Sequence, residues 1–202
     1  SVNLWQDFPR IGLEEWALDW SKSIAQQDPA PVLLGYSMGG RLALHAALAS
    51  PIWRAVVIVS AHTGLVAAGD RQQRRAHDER WLEHFQTLAW PSFLERWNQQ
   101  AIFSGHSHPL QPRPHPAMTR CFQQWSLSQQ EALQPKLPGI QCPLLWIVGE
   151  RDSKFQTIAK QAVPQLPQGS LAIAPNCGHR VPWEWPDFAA TVATFLNGRP
   201  TN

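Results

Sequence analysis

The segment Val32-Leu33-Leu34-Gly35-Tyr36-Ser37-Met38-Gly39-Gly40-Arg41 leaves the chain few ways to fold. A short apolar run, residues 32–34, stops at a glycine. One hydroxyl-bearing residue follows, then a Gly-Gly pair, and from Arg41 to Ala49 leucines and alanines recur at helical spacing. The order predicts a buried strand, a very tight turn and a helix. Gly35 and Gly39 lack a Cβ, so strand and helix are expected to approach closely around a strained Ser37. The Ser37 hydroxyl would then stand at the positive end of a helix. Gly-x-Ser-x-Gly between a strand and a helix is the pattern of a nucleophile elbow.

The rest of the chain repeats that alternation. Leu13, Trp16, Ala17, Trp20 and Ile24 form one apolar stripe, which predicts a helix ending before the breaker-rich Asp28-Pro29-Ala30-Pro31. Ala55–Ser60 is a continuous run with the β-branched content of a strand covered on both faces. The next strands are expected at Pro143–Val148 and Ser170–Ala174, with helices at Lys154–Ala162 and Pro186–Leu196. Between them, residues 70–137 carry only helical patterning, so the expected organisation of residues 1–202 is one α/β domain. Its core is 1–69 and 138–202, and 70–137 is a helical lid inserted between the two.

Composition narrows the function. A net charge of +2 with 16% charged residues and no basic run excludes a nucleic-acid partner. No stretch approaches the ~20 apolar residues of a membrane helix, and residues 1–20 lack a signal peptide's basic start and apolar core. Three cysteines at unpaired spacing suggest a reducing, cytoplasmic setting with neither disulfide nor zinc. The 11 tryptophans are expected in the core or in a pocket wall. No cofactor or metal is implied.

In a parallel α/β sheet, ligands bind beyond the carboxyl ends of the strands. Ser37, Asp152 and His179 each follow such an end, and the chemistry requires this set. A serine hydroxyl becomes a useful base or nucleophile only when an imidazole takes its proton. The imidazole needs a carboxylate to fix its tautomer and stabilise its charged form. His62 also follows a strand and competes with His179; Glu150 competes with Asp152.

Gly35-Tyr36-Ser37-Met38-Gly39-Gly40-Arg41, Gly149-Glu150-Arg151-Asp152-Ser153-Lys154-Phe155 and Gly178-His179 together resemble the 2-succinyl-6-hydroxy-2,4-cyclohexadiene-1-carboxylate synthases of menaquinone and phylloquinone biosynthesis. The resemblance implies an α/β-hydrolase fold: a mostly parallel sheet, helices on both faces and a helical lid. It also implies a lyase that eliminates pyruvate, with Ser37, His179 and Asp152 acting together as the base. By the same resemblance Arg41, Arg74 and Arg113 would bind a small substrate bearing several carboxylates, and Tyr36 and Trp97 would line its pocket. The Met38 N–H would hold an oxyanion.

In one respect the chain departs from that pattern. The family places several strands before the elbow, one of them with a His-Gly loop, whereas here about thirty residues precede Val32 and none resembles them. The N-terminal strands are therefore expected to be missing, which would leave a sheet edge open to self-association. Two other readings stay open: a serine esterase or thioesterase on the same fold, and an inactive fragment that acts only by binding.

Overall fold

The computed structural model describes residues 12–103, 107–109 and 115–198. Four strands form one parallel sheet in chain order: β1 (Val32–Tyr36), β2 (Ala55–Val59), β3 (Leu144–Gly149) and β4 (Gly169–Ala174). Every residue of β2 and β3 is buried, as expected of central parallel strands. β1 alternates exposed and buried positions and pairs, among the described residues, with β2 alone.

Eight α-helices are described: α1 (Leu13–Ala25), α2 (Met38–Ala49), α3 (Ala68–Thr87), α4 (Trp90–Asn98), α5 (His115–Gln123), α6 (Ser153–Ala162), α7 (Val181–Glu184) and α8 (Phe188–Leu196). The chain separates into two compact units. One holds Ala17–Thr63 and Leu133–Asn202, including the whole sheet. The other is helical and holds Gly64–Ala132 with the described residues before Ala17. Gly64 marks the start: its φ is 108°, and a Cβ there would strike the Glu131 carbonyl. Leu133 marks the return, its N–H donating to the Thr63 carbonyl at 2.6 Å.

In the sheet unit, side chains on one face of the strands (Val57, Val59, Leu145, Ile147) pack with Val181 and with Phe188, Val192 and Phe195 of α8. In the helical unit, Trp81, Phe85 and Phe93 form a small aromatic core. Trp16, Trp53, Trp81, Trp125 and Trp146 are buried, whereas Trp183 is exposed. The C-terminal helix expected at Pro186–Leu196 is α8, which starts two residues later and ends at the same residue; the four-residue α7 before it was not expected.

The elbow departs from its expected packing in one detail. A Cβ on Gly35 would strike the Gly39 carbonyl and approach the Ala43 Cβ to 2.8 Å, and one on Gly40 would lie 2.7 Å from the Ala61 Cβ. A Cβ on Gly39 would meet nothing within 4 Å. The close contacts therefore belong to Gly35 and Gly40, because Gly39 presents its carbonyl, and not its Cα hydrogens, to the strand. No helix among the described residues is long and apolar enough to cross a membrane.

Candidate active site

Ser37 joins β1 to α2 with φ 51° and ψ −112°, a left-handed conformation that costs a non-glycine residue of order 1–3 kcal/mol. Its N–H donates to the Val59 carbonyl at 2.8 Å, which fixes the turn against β2. His179 follows β4 and is buried. Its Nδ1 lies 2.7 Å from Asp152 Oδ2 and its Nε2 lies 3.0 Å from Ser37 Oγ. A carboxylate only accepts, so Nδ1 carries the proton, which leaves Nε2 to accept from the serine hydroxyl. This is the tautomer a serine base needs. Asp152 occupies the N-cap of α6, yet its side chain makes no capping bond. The carboxylate that would ordinarily satisfy a helix N–H is turned instead to His179.

The two competitors lie elsewhere. Glu150 is exposed, and its Oε2 accepts the Asn176 N–H at 2.8 Å. With the Arg151 N–H donating to the Cys177 carbonyl at 2.8 Å, it ties the loop after β3 to the loop after β4. His62 meets the ring of Phe155 edge-on at 6.3 Å, and Phe155 in turn lies 4.5 Å from the His179 ring.

Tyr36 stands 5.5 Å from the His179 ring and 5.1 Å from that of Trp183. Burial pushes its phenol above the ordinary tyrosine range, against a smaller opposing pull from the Arg180 charge, and Arg180 also donates a hydrogen bond to it. Arg41, in the first turns of α2, is buried. These residues all belong to the sheet unit. Arg74 and Trp97 belong to the helical unit. Arg74 Nε donates to both Asp78 oxygens, at 2.9 and 3.0 Å, and its two Nη groups have no partner among the described residues. Trp97 packs against Trp81 at 4.9 Å within the aromatic core of that unit. Arg113 lies outside the described residues. Met38 opens α2, so its N–H has no intrahelical acceptor.

Phe155, Arg180 and Glu184 received no individual role from the sequence. The signal for Glu184 was available: it sits five residues after His179, on the far side of a proline, a spacing that returns a carboxylate to the start of its own turn. No group of three or more metal-ligating side chains occurs among the described residues.

A sequence model of the α/β hydrolase family matches residues 3–194. The 2-succinyl-6-hydroxy-2,4-cyclohexadiene-1-carboxylate synthase of Serratia proteamaculans is 34% identical over 175 residues, which are 81% of this chain and 67% of the relative. The synthase of the same name from Yersinia pseudotuberculosis is 32% identical over 179 residues, 82% of this chain and 63% of the relative. The structure of MenH from S. aureus superposes with a TM-score of 0.84 at 25% identity, covering 93% of this chain and 76% of that one. The chain belongs to the α/β-hydrolase family and, within it, to the family of 2-succinyl-6-hydroxy-2,4-cyclohexadiene-1-carboxylate synthases. It spans about two thirds of the length of these curated relatives.

Proposed function

We propose that this chain carries the chemistry of a carbon–oxygen lyase, which converts 2-succinyl-5-enolpyruvyl-6-hydroxy-3-cyclohexene-1-carboxylate into 2-succinyl-6-hydroxy-2,4-cyclohexadiene-1-carboxylate and pyruvate. The observation that carries the proposal is the hydrogen-bonded chain Ser37–His179–Asp152, formed behind a strained elbow in a relative of these synthases.

The chemistry follows from the substrate. The ring C2–H lies beside the succinyl ketone and is acidified by it. Ser37 Oγ takes that proton as its own passes to His179 Nε2, and Asp152 stabilises the resulting imidazolium. The C2 electron pair forms C2=C3, the ring double bond moves to C4=C5, and the C5–O bond breaks. The departing enolpyruvate then takes up a proton to become pyruvate. Negative charge developing on the ketone oxygen would be met by the Met38 N–H at the start of α2, where the helix dipole also favours it. No acyl-enzyme is required.

Arginine forks suit a substrate with several carboxylates. Arg41 follows the elbow directly. Arg74, bonded at Nε to Asp78, is a second candidate on the family resemblance. Tyr36, a neutral phenol against the catalytic imidazole, would line the pocket.

The test is to incubate the purified chain with the cyclohexene substrate, coupling pyruvate release to lactate dehydrogenase, beside p-nitrophenyl esters. Pyruvate release that Ser37→Ala abolishes is expected. Rapid ester turnover without pyruvate would replace the lyase reading with an esterase.

A further inference from the structure

His179 is placed by more than Asp152. The loop that carries it has no regular structure, and a loop left to itself would let the imidazole wander. α7 begins immediately after, at Val181, with Pro182 in its first turn and Glu184 at its end. The Glu184 carboxylate reaches back over that turn. One oxygen accepts the Gly178 N–H, and the other accepts the Arg180 N–H at 3.1 Å. These two amides flank His179. A single rigid, charged group therefore fixes the backbone on both sides of the imidazole, through charge-assisted bonds stronger than neutral ones.

Three further features agree. Gly178 provides the room: a Cβ there would lie 3.3 Å from Glu184 Oε2, so the carboxylate would have to give by a few tenths of an ångström. Arg180, whose own N–H is held, sends its guanidinium to the Tyr36 hydroxyl, and Tyr36 is the residue before Ser37. The Glu184 charge also acts favourably on the buried Arg180.

We infer that Glu184 is a positioning residue, which clamps the Gly178–Arg180 loop and thereby holds His179 Nε2 within reach of Ser37 Oγ. The inference rests on the reading of Ser37 as the activated base. Its readout is the rate at which a fluorophosphonate labels Ser37, which needs the His179 contact but not the lyase substrate. Labelling is measured on the 202-residue chain and on Glu184→Gln, Glu184→Ala and Gly178→Ala, with melting temperatures recorded alongside.

Misplacing a reacting group by about 1 Å can cost on the order of 10²-fold in rate. The maximal labelling rate is therefore expected to fall roughly 10- to 100-fold in Glu184→Ala and less in Glu184→Gln, which keeps one acceptor oxygen. Gly178→Ala, which displaces the carboxylate only slightly, should lower the rate less than Glu184→Ala, and the probe concentration for half-maximal labelling should change little in all three. Wild-type labelling rates in both Glu184 variants would overturn the clamp alone. So would losses that merely track a falling folded fraction. Failure of the wild-type chain to label, or labelling that survives His179→Ala, would overturn the reading of Ser37 and the clamp with it.

Discussion

Asp152 declines a helix cap in order to bind an imidazole, and that choice makes it the most informative single residue for testing the triad. Asp152→Asn keeps the shape but offers His179 Nδ1 an amide that can favour the wrong tautomer. A loss in kcat of about 10⁴ is expected where the tautomer is what matters. Ser37→Ala and His179→Ala should each be more severe, and the double variant should lose little more, because the three residues act as a unit. Steady-state pyruvate release checks all four, and near-normal turnover in His179→Ala would refute the assignment. Ser37, Asp152 and His179 were legible in the sequence because each follows a strand end, where a parallel sheet gathers its reactive groups. Glu184 was visible only as a spacing from His179 across a proline; its role depends on the chain doubling back over one turn, and apolar periodicity says nothing of that. Arg180 was hidden for a similar reason. An arginine next to His179 looks like a solvated charge until the half-buried Tyr36 phenol is found to interact with it.

At the scale of elements, the elbow glycines separate into two kinds with opposite expected behaviour. Gly35→Ala and Gly40→Ala would press a methyl group against backbone or Ala61, and overpacking of this kind costs about 1–3 kcal/mol. Gly39→Ala meets open space within α2 and should raise stability by about 0.4–1 kcal/mol, through the unfolded chain. Thermal unfolding of the three variants gives the comparison. A second prediction concerns α3. Burial alone would raise the Asp78 carboxyl, but the His77 hydrogen bond, the Arg74 charge and the bonds from Arg74 and Ser126 outweigh it, so the group sits below the ordinary carboxylate range. A carboxyl depressed on folding contributes stability that is present above the unfolded value of about 3.9 and disappears as pH falls through the folded value. Asp78→Asn should therefore cost about 1–3 kcal/mol at pH 7. The gap in melting temperature between wild type and variant should close below about pH 4. The four strands were readable from their apolar runs. α3 was harder, since its buried positions are Asp78, Trp81 and Phe85 alone, and one of the three is charged.

For the molecule as a whole, β1 carries the strongest expectation. Val32 is 36% and Leu34 47% exposed on a strand that pairs with β2 alone among the described residues, and no lysine or proline interrupts it. Such an edge invites pairing with another chain. The 202-residue chain is expected to self-associate in a concentration-dependent way, and Leu34→Lys to weaken that association about tenfold or more by placing a charge on the edge. Sedimentation velocity across a dilution series distinguishes the outcomes, and a wild-type chain monomeric at all concentrations would reject the expectation.

The hydrogen bond from Leu133 to the Thr63 carbonyl has a separate consequence, for how such a chain can change over time. The helical segment leaves the sheet unit and rejoins it at neighbouring points, so to the sheet it is a single long loop with pinned ends. Closing a loop costs entropy that grows only with the logarithm of its length, about 0.6 kcal/mol for each doubling. By that measure insertions and deletions between Gly64 and Ala132 add little to the cost of bringing Thr63 and Leu133 together. Changes in the length of the segment can therefore accumulate at little closure cost, so long as they spare Arg74 and Trp97.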